Sequence, residues 1–139
     1  TCALPILDEN TNKLFYFVKE KGLYSYDINT KEQKLLIEAD EKNQMPEISF
    51  DGQYIYMDNS AWASISKRMG KEVEKQCFVI DTNGNMIQQI SGEKTQRIYF
   101  GDGNYLFAQT VIQKISGGNS EYSYINKSLP GEWEWKAME

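Results

Sequence analysis

An all-β fold built from a repeated four-strand antiparallel unit is predicted by three observations on this chain of 139 residues. First, one phrase recurs three times: an apolar run, an Asx-Gly-type turn, a second apolar run, then a third run closed by an acidic or amide residue. Second, the runs alternate apolar and polar side chains, the period of a half-buried strand, and they hold most of the nine tyrosines. Third, apolar residues make up 40% and aromatics 13% of the chain, too much for a disordered segment and suited to sheets.

The first unit covers about residues 3–38. A weak strand over Leu4 to Leu7 leads into strands Leu14 to Val18 and Leu23 to Ile28. Lys19-Glu20-Lys21-Gly22 joins the last two, a short Gly-containing connection of the kind that links antiparallel neighbours. Asn29-Thr30-Lys31-Glu32 then turns the chain into Gln33 to Glu38.

The second unit, residues 45–91, repeats that order with Pro46 to Phe50, Tyr54 to Asp58, Gln76 to Asp81 and Met86 to Ile90. Asp51-Gly52 and Asn83-Gly84 supply residues that tolerate positive φ, as tight turns between twisted strands require. The third unit, residues 96–138, uses Arg97 to Phe100, Asn104 to Ile112, Glu121 to Asn126 and Glu132 to Lys136. Leu129-Pro130-Gly131 is its last turn, and Trp133 and Trp135 fall on one face of its last strand.

The units recur about every 40 to 50 residues, and their length varies mainly between the second and third strands. That connection is short in the first unit, long around Asn59 to Lys75 in the second, and intermediate around Ser116 to Ser120 in the third. Within the long insertion, Ile65, Met69 and Val73 follow a helical spacing that Gly70 interrupts. Ser64 to Glu74 is therefore expected to form a loop or hairpin extension, with a short helix as the alternative.

Composition excludes several function classes. A net charge of −5 and only two arginines, Arg68 and Arg97, argue against nucleic acid as a partner, because that affinity comes from neutralising phosphates. No stretch approaches the roughly 18 consecutive apolar residues of a membrane span, so direct membrane insertion is not expected. A chain that opens on Thr1 without a signal peptide reads as a processed or trimmed product. Cys2 and Cys77 allow one internal disulfide, but Cys77 lies in an apolar run where a free thiol serves as a small hydrophobe. The redox compartment is left open.

Four-stranded units at this spacing are the signature of β-propeller blades. Ile48-Ser49-Phe50-Asp51-Gly52-Gln53-Tyr54-Ile55-Tyr56 resembles the strand, turn and aromatic strand of TolB-like and related bacterial propeller repeats. Leu23-Tyr24-Ser25-Tyr26-Asp27-Ile28-Asn29-Thr30-Lys31 looks like the third strand of such a blade. The likeness implies a propeller without implying a particular activity; an extracytoplasmic or cell-surface bacterial setting is the favoured expectation, with the compartment itself left open. Propellers close with about 4 to 8 blades, whereas this chain supplies three. An incomplete array exposes a sheet face at each end, to be covered by flanking blades of a longer protein, by a second chain completing the ring as a homodimer, or by an unusual closed packing.

The chain contains no histidine, which removes Ser-His-Asp and Cys-His machinery and His-based zinc sites from within it. Among 20 acidic residues some carboxylate pair is inevitable, but Asp8, Asp27, Asp51 and Asp102 are explained by turn and strand-end hydrogen bonding. A sialidase-type S-x-D-x-G-x-x-W pattern is not met around Ser49, and two arginines cannot form that family's carboxylate-binding triad. Asp81 to Asn85 and Asp8 to Asn12 offer oxygen ligands, but the sixth and twelfth places of a calcium loop hold Met86 and Gly92, or Lys13 and Lys19. Gly101-Asp102-Gly103 and Gly117-Gly118-Asn119 open no helix, so neither reads as a phosphate cradle. Asn126-Lys127-Ser128 satisfies a glycosylation sequon at a strand end, an incidental match.

Lys67-Arg68-Met69-Gly70-Lys71 is a basic cluster in an acidic chain. With Trp62, and with Arg97 on a nearby connection, it forms the candidate contact surface, since an aromatic beside cations on an inserted loop is a common binding composition. The expected function is a non-catalytic binding or scaffold module for a protein, peptide or glycan, with no cofactor and no metal. The alternative is the propeller portion of a larger, peptidase-like hydrolase whose catalytic residues lie outside this chain.

Overall fold

The fold was analysed on a computed structural model, which describes residues 5–91, 96–99, 103–114, 117–128 and 133–138. It is all-β, with three four-stranded antiparallel sheets and one short helix. The first sheet takes β1 (Ile6–Asp8), β2 (Lys13–Val18), β3 (Gly22–Asp27) and β4 (Gln33–Glu38) in that order. The second takes β5 (Glu47–Phe50), β6 (Tyr54–Asp58), β7 (Cys77–Asp81) and β8 (Met86–Ser91), with α1 (Ser60–Arg68) between β6 and β7. The third takes β9 (Gln96–Tyr99), β10 (Tyr105–Lys114), β11 (Gly117–Asn126) and β12 (Lys136–Ala137).

Turn chemistry is plain in the first two sheets. Asp27 accepts hydrogen bonds from the amides of Asn29 and Thr30 at 2.9 and 3.0 Å, folding the chain back into β4. Asp81 does the same for Asn83 and Asn85 at 2.9 and 2.8 Å, with Gly84 at φ 92° between them. Gly22 opens β3 at φ 139°, and a Cβ there would stand 2.1 Å from the Ile37 carbonyl oxygen across the sheet, so only glycine fits this close approach.

The sheets stack face to face, and the strand period divides the side chains between two cores. Phe15, Phe17 and Leu23 of the first sheet meet Ile55, Met57 and Ile80 of the second. Tyr56, Cys77 and Val79, from the opposite face of the second sheet, meet Leu106 and Ile125 of the third. This accounts for the run Tyr54-Ile55-Tyr56-Met57, which is apolar at every position because both faces of its strand are covered. Cys77 is a free, fully buried thiol in the second core; burial, then the charge of Asp58, pushes its pKa far above the ordinary thiol value. Cys2 lies outside the described residues.

Three sequence expectations are settled or corrected. In the insertion the alternative of a short helix holds for its first part and the loop only beyond Gly70: α1 starts at Ser60, ahead of the stretch whose periodicity was weak, and buries Ala63 and Ser66. Gly70, at φ 79°, ends it, with the Lys71 amide donating to the Ser66 carbonyl at 2.8 Å in a Schellman-type closure. In the third unit the extra length is not a loop around Ser116 to Ser120 but longer strands, β10 and β11, paired from Tyr105↔Asn126 to Lys114↔Gly117. The last strand is only Lys136–Ala137, so Trp133 and Trp135 precede it instead of lying within it. They still pack on one side: Trp133 joins the second core, and the Trp135 indole N–H donates to the Ile90 carbonyl at 2.6 Å. Other strand ends differ from the expected ones by a residue or two. Leu4, Phe100, Asp102 and the turn at Leu129-Pro130-Gly131 lie outside the described residues.

Candidate functional site

Two features carry polar side chains in unusual settings, and both are held by the second sheet. One is the insertion that carries α1. The other is a cleft of about 230 Å³ between the β5–β6 turn and the end of β11, lined by Asp51, Gln53, Tyr54, Asn104 and Lys127 among others.

The insertion is fixed by Asn59, a fully buried residue at the start of α1. Its side-chain amide donates to the carbonyls of Lys42 and Glu74 at 2.8 and 2.9 Å, and its side-chain oxygen accepts from the Gln76 amide at 2.6 Å. One carboxamide thereby ties the segments around Lys42 and Glu74–Gln76 to the start of α1. Asp58 accepts from the Ser60 amide at 2.7 Å, satisfying one of the donors a helix start leaves open. Asn59→Ala is expected to lower stability by about 2 kcal/mol, because buried carbonyl and amide groups lose their partners; thermal unfolding of the variant measures this.

Of the residues singled out in the sequence, Trp62 is half-buried, and its indole N–H donates to the Glu41 carbonyl at 2.8 Å. It therefore clamps α1 to the segment around Glu41 instead of standing free. Lys67 and Arg68 are exposed in the last turn of α1, and Lys71 is exposed just beyond it. Cations there complement the negative end of the helix dipole. Lys67, Arg68 and Lys71 thus follow one another at the C-terminal end of α1, whereas Trp62 lies in its first turn against the segment around Glu41. Arg97 sits on β9 of the third sheet, opposite Gln109, on a separate element. Of the neighbouring connection, residues 93–95 lie outside the described residues.

The cleft is built around Asp51, which sequence reasoning assigned only to a turn. Its carboxylate does accept from the Gln53 and Tyr54 amides, at 2.9 and 2.6 Å. It also accepts from the Tyr56 hydroxyl at 2.5 Å and from the Lys127 ammonium at 2.6 Å. Both side chains of the ion pair are buried, at 7% exposure for Lys127 and 3% for Asp51, and the ammonium lies 5.9 Å from the centroid of the Tyr56 ring. Burial by itself raises the Asp51 pKa, but the hydrogen bonds from Lys127, Tyr54, Tyr56 and Gln53 outweigh it and hold the carboxyl below its ordinary value. Burial, followed by the hydrogen bond and charge of Asp51, pushes the Tyr56 phenol far up.

The carboxylate thus stays ionised and the phenol stays protonated at neutral pH, and neither is poised to exchange a proton with a substrate. The arrangement is a buried latch between the second and third sheets. The turn role of Asp51 was visible in Asp51-Gly52; its partner Lys127, 76 residues away along the chain, left no local signal. At the sequon, the Asn126 side-chain oxygen accepts from the Ser128 amide and hydroxyl at 3.0 and 2.6 Å, so this amide closes its own turn. Among the described residues no group of three or more His, Cys, Asp or Glu side chains is placed to hold a metal ion, and no helix is long and apolar enough to cross a membrane.

No protein-family model, curated protein or solved structure matches this chain.

Proposed function

We propose that the chain is a segment of a propeller-like array serving as a non-catalytic binding module, and that the basic end of α1 contacts an acidic segment of a partner protein or peptide. The propeller reading is supported by three meander sheets of four strands stacked face to face. The siting rests on one observation: the insertion that departs from the repeat is clamped by Asn59 and Trp62 and presents Lys67, Arg68 and Lys71 to solvent in a chain of net charge −5. A rigid base under exposed cations lowers the ordering cost of binding. Replacing all three by Glu is expected to weaken capture of a partner from the source cell by about tenfold or more, with binding to the unaltered protein falling as salt rises. Equal capture by the two proteins would remove this siting.

A further inference from the structure

The cross-strand register defines equivalent positions in the three sheets. The last residue of each third strand, Asp27, Asp81 or Asn126, lies opposite Lys13, Tyr54 or Tyr105 on the second strand. Two residues further along stand Phe15, Tyr56 and Phe107, all on the face directed toward the next sheet of the stack. Phe15 is 0% exposed and Tyr56 1%, because the next sheet covers each; Phe107, on the last sheet, is 46% exposed. Tyr105 and Tyr122 share its open face, and Tyr124 pairs with it across the sheet.

The opposite end shows the converse. Ile55 and Met57, and then Leu106 and Ala108, are the buried side chains with which the second and third sheets cover the sheet before them. Their equivalents in the first sheet are Leu14 and Tyr16, which share an outward face with Tyr24, Leu7 and Leu35, the last two exposed and none of the five charged. One end of the stack therefore has an aromatic face of the kind that elsewhere receives a sheet, and the other end has a face of the kind that elsewhere supplies the cover.

We infer that these two faces bind each other between two copies of this chain, the first sheet of one copy seated on the third sheet of the other, head to tail. Two copies joined at both ends make six sheets, within the roughly 4 to 8 of closed propeller rings, and a head-to-tail contact that closes yields a discrete assembly rather than a filament. At about 200 Å² per ring, the half-exposed Tyr99, Tyr105, Phe107 and Tyr122 leave about 400 Å² of aromatic surface in water, the size of patch that marks a contact site. Matched by an equal area on the first-sheet face it meets, each contact covers about 800 Å², and the two contacts of a closed pair together cover about 1,600 Å², the standard total for two specific partners. The inference rests on the propeller-like reading above and on sheet equivalence, and is independent of the ligand assigned to α1.

Sedimentation of the full chain at micromolar concentration tests it. The expected mass is twice 16.1 kDa, falling to a single chain in Phe107→Glu and in Tyr16→Glu, each keeping the far-UV circular dichroism of the parent. In a Cys2→Ser background, mixing a Tyr16→Cys chain with a Phe107→Cys chain is expected to give a disulfide-linked pair that neither forms alone. A single-chain mass for the unaltered protein up to about 100 μM, far above typical protein-pair dissociation constants, overturns the inference. So does an open-ended polymer, or self-linking of the Phe107→Cys chain.

Discussion

Asp51→Ala is expected to destabilise the fold by about 3–5 kcal/mol, the cost of breaking a buried ion pair from one side. Lys127 would lose the carboxylate 2.6 Å away, Tyr56 would lose its hydrogen bond to Asp51, and the Gln53 and Tyr54 amides would lose their turn partner. Urea unfolding measures the loss; a change under about 1 kcal/mol, the range of exposed pairs, would show that the latch carries no weight. The pH dependence has a definite sign. The folded state holds the Asp51 carboxyl below its ordinary 3.8, so on acidification the unfolded chain takes up the proton first. Its stabilisation is complete above that value and is lost as pH falls through it toward the folded one. Asp51→Asn removes this contribution, so its stability should fall less steeply in acid than that of the parent. Asp81 is also held below its ordinary value, as hydrogen bonds from Asn85, Asn83 and Gly84 outweigh slight burial, but its exposed turn is screened by solvent and adds little to the slope.

Phe15→Ala should cost about 3–5 kcal/mol, since a fully buried ring between two sheets leaves a cavity that strands on both sides cannot collapse into. The same truncation at its equivalent, Phe107, should cost the isolated chain only about 1–2 kcal/mol, because nearly half of that ring is already in water. Denaturant titration of both variants at low concentration compares them. Equal losses would contradict the placement of the third sheet at the end of the stack.

The fold was legible because its signals are local. Alternation fixed the strands, and Asp27, Asp51, Asp81, Gly52 and Gly84 marked the turns where their side chains or φ angles are needed. The helix was harder to see: its apolar stripe is short and half of its buried face is Ser66, so tertiary anchoring by Asn59 and Trp62 decides it more than periodicity does. The length of the third unit was visible, but whether it formed a loop or longer strands was not, since Gly117-Gly118-Asn119 suits a turn and also tolerates an extended hairpin. The basic end of α1 could be picked out as a run of cations. The Asp51–Lys127 latch could not, because periodicity and turn chemistry carry no information about which surface groups two distant strands will bury together.

The double-sided strand β6 has a kinetic consequence. In a stack where each layer touches only its neighbours, cooperativity passes through shared layers. The second sheet belongs to both cores, so opening it exposes Phe15 and Leu106 in one event, whereas the first or third sheet can detach while one core persists. In a single chain, amide protons of β6 and β7 are thus expected to be protected by nearly the whole unfolding free energy, and those of β1 and β12 to exchange through local opening. A chain apart from its partner copy frays from its ends inward, and closing the pair removes those ends.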